Sequence, residues 1–151
     1  VERNILKLED VDIPAIRQYL KDNPDKSIDL LHQNPRYIFF QWRDSRGPIG
    51  SSGEPLTAGR SIAIDPDSLP TGTIGFLESE KPKVERGKIT GWEPLNRLVF
   101  PQDTGSAIKG TGRVDLFWGN GDYAEIAASH MKHPGKLYFL IKKGFEEQPA
   151  K

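Results

Sequence analysis

The sequence predicts a mainly β protein, a small β-barrel or β-sandwich with a few short helices. Short runs rich in β-branched and aromatic residues recur along the chain, and glycine and proline account for 15 and 12 of its 151 residues. Frequent glycine and proline favour turns over long helices, and several short strands separated by turns are typical of sandwiches and barrels. A chain of this length can bury one hydrophobic core.

Two short helices are predicted near the start of the chain. Asp12 can cap a helix over residues 12–22, and Pro14 is tolerated in its first turn. Asn23-Pro24 ends this helix and begins a second one, which stops at Asn34-Pro35. Each helix is expected to bury one apolar face, formed by Ile13, Ile16, Leu20, Ile28 and Leu31.

Six strands and a third helix are predicted in the rest of the chain. The helix covers residues 122–131, and Asp122 and Glu125 at its start are spaced as a capping box. Residues 46–59 form a polar loop, and the charged residues 81–91 form an exposed excursion. The strands are predicted at residues 36–42, 60–65, 72–78, 96–103, 112–119 and 136–143.

Composition limits the classes of partner and site. Lysine plus arginine equal aspartate plus glutamate at 21 each, so charge gives no attraction toward nucleic acid. No apolar run is long enough to span a bilayer. Cysteine is absent, which excludes disulfides, thiol nucleophiles and cysteine metal ligands. The sequence begins Val-Glu-Arg-Asn, without Met, signal peptide or lipid-attachment cysteine, so we expect a longer precursor.

Three aspartates at strand positions are the first candidate site residues. Asp65 closes "SIAID", Asp103 closes "LVFPQD" and Asp115 lies inside "GRVDLFWG". Aspartate often caps turns or accepts backbone N–H bonds, and spacing alone favours that role for all three. Asp115 differs because Val114 and Leu116 flank it, and an apolar environment would raise the pKa of a carboxyl group and suit it to general acid catalysis.

Other motifs give weaker signals. The segment "DTGSAIKG" lacks the phosphate-loop order because Lys109 precedes Gly110. Trp92 and Trp118 could stack on a sugar ring, although core packing is the more common role of such a residue.

The histidines and serines support neither a metal site nor a serine nucleophile. His130 and His133 are three residues apart and His32 is distant, whereas zinc needs three or four ligands in register. An exposed histidine pair is the better interpretation. No serine lies in a nucleophile-elbow motif. We therefore predict neither a metal nor a cofactor.

Long segments of the chain resemble the C-terminal half of the membrane-bound lytic transglycosylase A family. These are "AGRSIAIDP", "PQDTGSAIKG" and "VDLFWGNGDYAEIAASHMKHPGKLYFLIKK", and each contains one of the three aspartates for which the family's 3D domain is named. The stretch "AIRQYLKDNPDKSIDLLHQNPRYIFFQW" is similar to the family's sequence just before that domain. The resemblance therefore covers nearly the whole chain.

The resemblance implies a fold and a reaction. The family fold is a double-psi β-barrel with a second β-domain inserted into it, and glycan binds in the groove between them. These enzymes cleave the β-1,4 bond between N-acetylmuramic acid and N-acetylglucosamine without water, because the muramic C6 hydroxyl attacks its own anomeric carbon. The catalytic aspartate of the family corresponds to Asp115. Asp103 and Asp65 are then supporting partners that orient Asp115 or the sugar.

The resemblance also suggests substrate contacts and a domain division. Residues 1–43 would end the inserted domain, residues 44–145 would form the C-terminal part of the barrel, and residues 146–151 would be a tail. The earlier barrel strands would come from the N-terminal part of the same precursor, acting as a companion chain. A lipid anchor on that part would place the enzyme in the periplasm, on the inner face of the outer membrane. The expected substrate-binding residues are Gly105, Ser106, Lys109, Trp118 and Gly119.

Two alternative functions remain open at this stage. The chain could be a glycan-binding 3D domain without turnover. It could also be an ordinary hydrolase that uses Asp115 and Asp103 as a carboxylate pair.

Overall fold

A computed structural model of the protein describes residues 11–39, 42 and 47–143. The chain divides into two compact units, Val1–Asp44 and Ser45–Lys151. Within the described residues, the first unit contains two helices and the second a five-stranded sheet with one helix. In chain order the elements are α1 (Ile13–Asp22), α2 (Pro24–Leu31), β1 (Ser61–Ile64), β2 (Ile74–Glu85), β3 (Lys88–Thr104), β4 (Asp115–Leu116), α3 (Asp122–His130) and β5 (Lys136–Leu140).

The two predicted helices of the first unit are confirmed, but their burial is not. The Asp12 carboxylate accepts a hydrogen bond from the Ala15 N–H at 2.7 Å, as expected of an N-cap. Neither helix contains a buried residue, and Ile28 and Leu31 are 64% and 58% exposed. Two helices this short cannot enclose a core between them. The predicted strand at 36–42 is not formed at residues 36–39, and residues 40 and 41 lie outside the described range.

The second unit is an open, mixed sheet with the strand order β4-β1-β3-β2-β5. Strand β1 pairs in parallel with β3, and the other strand pairs are antiparallel. Five of the predicted strands contribute to it, as β1, β2, β3, a shortened β4 and β5. The mainly β class is thus confirmed, whereas the described residues form neither a closed barrel nor a sandwich. No helix among the described residues is long and apolar enough to cross a membrane.

Residues 81–91, expected to be an exposed excursion, form the outer part of a long β-hairpin. Pairing between β2 and β3 continues from Gly75–Val99 out to Glu85–Lys88. The turn consists of Arg86 and Gly87, with φ angles of 51° and 76°. Two residues with positive φ match the twist of a tight hairpin. The charges that suggested a loop are the solvent-facing side chains of a strand pair.

The core lies on one face of the sheet. Ile62 and Ile64 of β1 are fully buried and cluster with Leu77, Leu95 and Val99 of β2 and β3. Helix α3 contributes two buried alanines, Ala124 and Ala127. The packed face is extended by partly buried apolar residues, namely Leu69, Val114, Leu116, Trp118, Met131 and Leu137.

Two local predictions near Asp115 differ from the structure. The strand expected over residues 112–119 is reduced to Asp115–Leu116, between glycine-bearing segments. Helix α3 begins where predicted, but its N-cap is Gly121 and no side chain caps it, so the proposed capping box of Asp122 and Glu125 is wrong. Asp122 is already the first helical residue, where its charge faces the positive end of the helix dipole.

Candidate active site

Asp103 and Asp115 flank the same residue of the sheet. Ala63 in β1 pairs with Asp103 of β3 on one side and with Asp115 of β4 on the other. Paired residues of neighbouring strands point to the same face. Because Ile62 and Ile64 on either side of Ala63 point into the core, these three residues lie on the opposite face, which we call the open face.

A β-bulge gives Asp103 this orientation. Ile62 pairs with Pro101 and Ala63 pairs with Asp103, so Gln102 is the extra residue on β3. Its side-chain carbonyl accepts a hydrogen bond from the Ser61 hydroxyl at 2.6 Å. Without the extra residue, alternation along the strand would turn residue 103 toward the core. The Cα atoms of Asp103 and Asp115 are two strand spacings apart, roughly 10 Å.

Asp103 is held at the edge of a groove. Its Oδ1 accepts a hydrogen bond from the Ser51 backbone N–H at 3.0 Å, which joins the loop before β1 to the end of β3. The groove has a volume of about 510 Å³ and combines hydroxyl, carboxylate and apolar side chains. It is lined by Ser51, Ser52, Glu54, Thr71, Gly72, Thr73, Ile74, Phe100, Pro101, Gln102 and Asp103.

Asp115 does not lie in the apolar environment that its neighbours in sequence predicted. Its side chain is 50% exposed, because Leu116 points to the core and Asp115 points away from it. The Arg113 guanidinium donates to both carboxylate oxygens, from Nε to Oδ1 and from Nη2 to Oδ2, each at 3.0 Å. This hydrogen-bonded carboxylate raises the pKa of Arg113. An ion pair therefore replaces the expected apolar pocket.

Asp65 is buried and anchors the loop that follows β3. Its Oδ2 accepts a hydrogen bond from the Gly110 N–H at 2.7 Å and another from the Ser68 hydroxyl at 3.0 Å. The backbone N–H of Gly110 is the main reason why the pKa of Asp65 lies below its ordinary value, with the Ser68, Asp67 and Lys109 contacts acting in the same direction against the cost of burial. The residue is only 3% exposed. It therefore supports the loop at residues 105–110 rather than presenting a carboxylate to solvent.

The three expected sugar contacts within that loop have different surroundings. The Gly105 carbonyl accepts a hydrogen bond from the Ile108 N–H at 2.9 Å, and a Cβ at residue 105 would lie 2.9 Å from the Ile108 side chain. Ser106 is exposed. The Lys109 ammonium lies 3.4 Å from Asp65, so it neutralises the anchor. Packing against Ile108 therefore favours glycine at residue 105.

Trp118 and Gly119 lie at the edge of the core. Trp118 packs against the core cluster, and its ring meets that of Tyr123 edge-on at 6.0 Å. Gly119 has a φ of +94°, and a Cβ there would lie 2.8 Å from the Ala58 Cβ. Both residues therefore have structural reasons for their identity, and their contact with a substrate stays a prediction.

The histidines do not form the exposed pair that we expected. His130 is exposed and its Nδ1 lies 2.8 Å from the Ile126 carbonyl oxygen. The His133 ring instead lies on the Trp92 ring, with 3.8 Å between centroids. Among the described residues, no three histidine, cysteine, aspartate or glutamate side chains are grouped so that they could hold a metal ion.

Sequence reasoning missed two parts of the site. Arg113 carries a readable signal, because in an extended segment a residue two positions before Asp115 lies on the same face. The groove had no such signal, since Ser51, Thr73 and Phe100 come from three separate segments. Only the sheet pairing brings them together.

Comparison with known proteins agrees with these features. Residues 60–141 match the 3D domain family, and residues 1–41 match the MltA specific insert domain. The chain belongs to the MltA family. Its 3D domain match contains all three aspartates and both strands that flank Ala63.

Individual members of the MltA family are similar over almost the whole chain. Membrane-bound lytic murein transglycosylase A of Vibrio cholerae is 33% identical over 99% of this chain, and the enzyme of Escherichia coli K12 is 33% identical over 93%. The crystal structure of MltA from Neisseria gonorrhoeae aligns with a TM-score of 0.77 at 39% identity, covering 96% of this chain and 36% of that one.

E. coli MltA with bound chitohexaose aligns with a TM-score of 0.70 at 29% identity, over 91% of this chain and 42% of that one. The chain spans 39% and 38% of the length of the V. cholerae and E. coli K12 relatives.

Proposed function

We propose that this chain is the catalytic part of a peptidoglycan lytic transglycosylase, with Asp115 as its single acid and base. The observation that carries the proposal is the placement of Asp115 on the open face of a 3D domain, where it pairs with Ala63 and lies on the same face as Asp103, two strands away. Relatives over nearly the whole chain are named lytic murein transglycosylases. An exposed carboxylate on an uncovered sheet face can reach a glycan strand.

The reaction needs one carboxyl group that first gives a proton and then takes one. Protonated Asp115 donates its proton to the glycosidic oxygen as the bond to the muramic C1 breaks, and N-acetylglucosamine leaves as an alcohol. The muramic C6 hydroxyl then attacks C1, and its proton passes to the Asp115 carboxylate. The product is a 1,6-anhydro end, Asp115 recovers its proton, and no water is consumed.

The groove beside Asp103 is proposed to hold a neighbouring part of the glycan strand. Phe100 and Ile74 supply apolar surface, and the hydroxyls of Ser51, Ser52 and Thr73 can exchange hydrogen bonds with sugar oxygens. Asp103 lies between the groove and Ala63, so its second carboxylate oxygen can accept a hydrogen bond from a sugar hydroxyl. We propose that Gly105, Ser106 and Lys109 contact the strand nearer to Asp115, with Trp118 and Gly119 supporting that wall.

A companion segment is proposed to cover the apolar half of the open face. Phe76 pairs with Leu98 on one side and with Tyr138 on the other, and Ile74 pairs with Leu140. Four of these side chains, Ile74, Leu98, Tyr138 and Leu140, are 43 to 54% exposed. Contiguous apolar patches of this kind mark interaction sites. The relatives contain more than twice the length that this chain spans, and we propose that their N-terminal part lies here, completing a double-psi barrel.

Association measurements test the companion. Substituting Leu98 and Tyr138 by glutamate is expected to weaken binding of the separately expressed N-terminal part, because charges would be buried in an apolar interface. Lys88→Glu, on the hairpin tip, is the control. Equal binding of both variants would exclude this face.

We further propose a location on the periplasmic side of the outer membrane, reached through a lipid anchor on the N-terminal part. The relatives' description as membrane-bound supports it. Fractionation of cells that express the full precursor tests it: the chain is expected with outer-membrane vesicles and not with the cytosol.

Glycan binding without turnover is the second candidate for this chain by itself. The groove is lined by Asp103 and lies on the side of Asp103 that faces away from Asp115. It could therefore hold glycan even where the rest of the cleft is missing. Pelleting with insoluble peptidoglycan without soluble product would support this function. Release of anhydro products by the enzyme with its companion part, but not by the chain alone, would reconcile both.

A further inference from the structure

We infer that Arg113 is a positioning residue that holds Asp115 between turnovers and releases it when glycan binds. This inference rests on the proposed function of Asp115. Arg113 donates two parallel hydrogen bonds to Asp115, both at 3.0 Å. Such a fork fixes the plane of the carboxylate as well as its position.

The third donor of the same guanidinium points to the neighbouring loop. Arg113 Nη1 lies 3.3 Å from the Ala107 carbonyl oxygen. The loop at residues 105–110 is in turn held by the buried Asp65 through the Gly110 N–H. Asp65, the loop, Arg113 and Asp115 therefore form a connected set of contacts. The motif that contains Asp103 is thereby tied to the side chain proposed to do the chemistry.

The fork suits only one of the two protonation states that Asp115 needs. A carboxylate accepts on both oxygens, whereas a carboxylic acid carries a hydrogen on one of them and loses acceptor capacity there. Asp115 must therefore leave at least one Arg113 hydrogen bond when it takes up the proton that it later donates. The two side chains are 50 to 53% exposed, and exposed pairs of this kind are weak, so a bound glycan can separate them.

The released guanidinium has an acceptor available in the substrate. Sugar hydroxyls and acetamido carbonyls accept hydrogen bonds from arginine, and Arg113 points to the same open face as Asp115. We expect Arg113 to exchange Asp115 for such an oxygen as the strand enters. In this way proton uptake by Asp115 would be coupled to occupation of the site.

Kinetics on the assembled enzyme separate positioning from binding. Arg113→Gln is expected to lower kcat by about tenfold to a hundredfold, the range for a misplaced catalytic group, with a smaller change in KM. Arg113→Lys keeps the charge but cannot form the two parallel hydrogen bonds, and its kcat is expected to lie between those of Arg113→Gln and the unsubstituted enzyme. Arg86→Gln, on the hairpin tip, removes a matched charge elsewhere. If Arg113→Gln equals Arg86→Gln, or changes only KM, the positioning role is wrong.

An NMR measurement on the same enzyme tests the positioning role without depending on turnover. The Arg113 Nε–H signal is expected to move when Asp115 is replaced by asparagine, and to move in the unsubstituted enzyme when a hexamer of N-acetylglucosamine is added. If the chemical shift of the Arg113 Nε–H group stays the same in both experiments, the inference is wrong, even if anhydro products are formed. Absence of anhydro products from the unsubstituted enzyme would instead reject the proposed function. The NMR signal would then still decide whether Arg113 holds Asp115 through the two hydrogen bonds.

Discussion

Asp103 and Asp115 occupy the two positions on either side of Ala63, one in a parallel and one in an antiparallel strand. They are twelve residues apart in the chain but lie on one face of the sheet. Asp103 is bonded to the Ser51 backbone and Asp115 to Arg113. The two carboxylates therefore have different partners, which is consistent with different roles.

Replacement of Asp115 by asparagine is expected to reduce turnover by about 10²–10⁴-fold, the contribution of a positioned acid and base. Asparagine keeps the shape of the side chain but cannot exchange a proton. Asp122→Asn is a suitable control, because Asp122 is an exposed aspartate in the first turn of α3. Turnover is measured as soluble muropeptide released from sacculi. Similar rates for the two variants would remove Asp115 from the mechanism.

Replacement of Asp103 by asparagine separates a transglycosylase from a two-carboxylate hydrolase. Because asparagine still has an oxygen for the Ser51 N–H, we expect the groove to persist and turnover to fall by less than about tenfold. A hydrolase with its carboxyls about 6.5–9.5 Å apart would instead depend on both groups. Loss of activity as complete as that of Asp115→Asn, together with reducing-end products, would favour the hydrolase.

The lowered pKa of Asp65 allows a prediction of how the free energy of unfolding depends on pH. Its pKa is lowered in the folded protein, chiefly by the Gly110 N–H. Its contribution to the free energy of unfolding is therefore complete above the ordinary pKa of 3.8 and is lost as the pH falls through the lowered value. Urea unfolding between neutral pH and acid should show a steeper loss for the unsubstituted protein than for Asp65→Asn.

The control for that experiment is Asp67→Asn, whose side chain is 84% exposed and which also contacts Lys109, at 3.7 Å. Its profile should follow the unsubstituted protein. Parallel profiles for Asp65→Asn and the unsubstituted protein would mean that the Asp65 anchor does not act as described.

Gly119 predicts a stability effect that is independent of catalysis. Alanine there would combine a φ of +94° with a Cβ 2.8 Å from the Ala58 Cβ, and strain of this kind costs about 1–3 kcal/mol. Gly112→Ala, where a Cβ would meet nothing within 4 Å, is the matched control. Thermal unfolding should distinguish the two. A Gly119→Ala protein as stable as the control would contradict the close packing of residues 58 and 119.

The fold was predictable where the pattern was local. Pro24 and Asp12 determine helix boundaries through backbone sterics and a side-chain cap, and both were read correctly. The hairpin at residues 81–91 was misread because its charged residues suggested a loop, although the Arg86-Gly87 turn follows from positive φ. The resemblance led us to expect a barrel that lacks strands, but the strand order β4-β1-β3-β2-β5 was not predictable, because it depends on long-range pairing.

The site was predictable only in part for the same reason. The three aspartates were found from their unusual positions and from the family resemblance. The bulge at Gln102, which turns Asp103 to the open face, depends on pairing with a strand about 40 residues earlier in the chain. The surroundings of Asp115 were misjudged because its apolar neighbours in sequence point to the other face of the strand.

Mass spectrometry of the soluble products from digested sacculi tests the central claim most directly. The enzyme that contains this chain with the N-terminal part of its relatives is compared with its Asp115→Asn variant. We predict 1,6-anhydromuropeptides from the former and at least about a hundredfold less from the latter. Muropeptides with reducing muramic ends, or anhydro products at equal rates from both proteins, would contradict a non-hydrolytic reaction carried by Asp115.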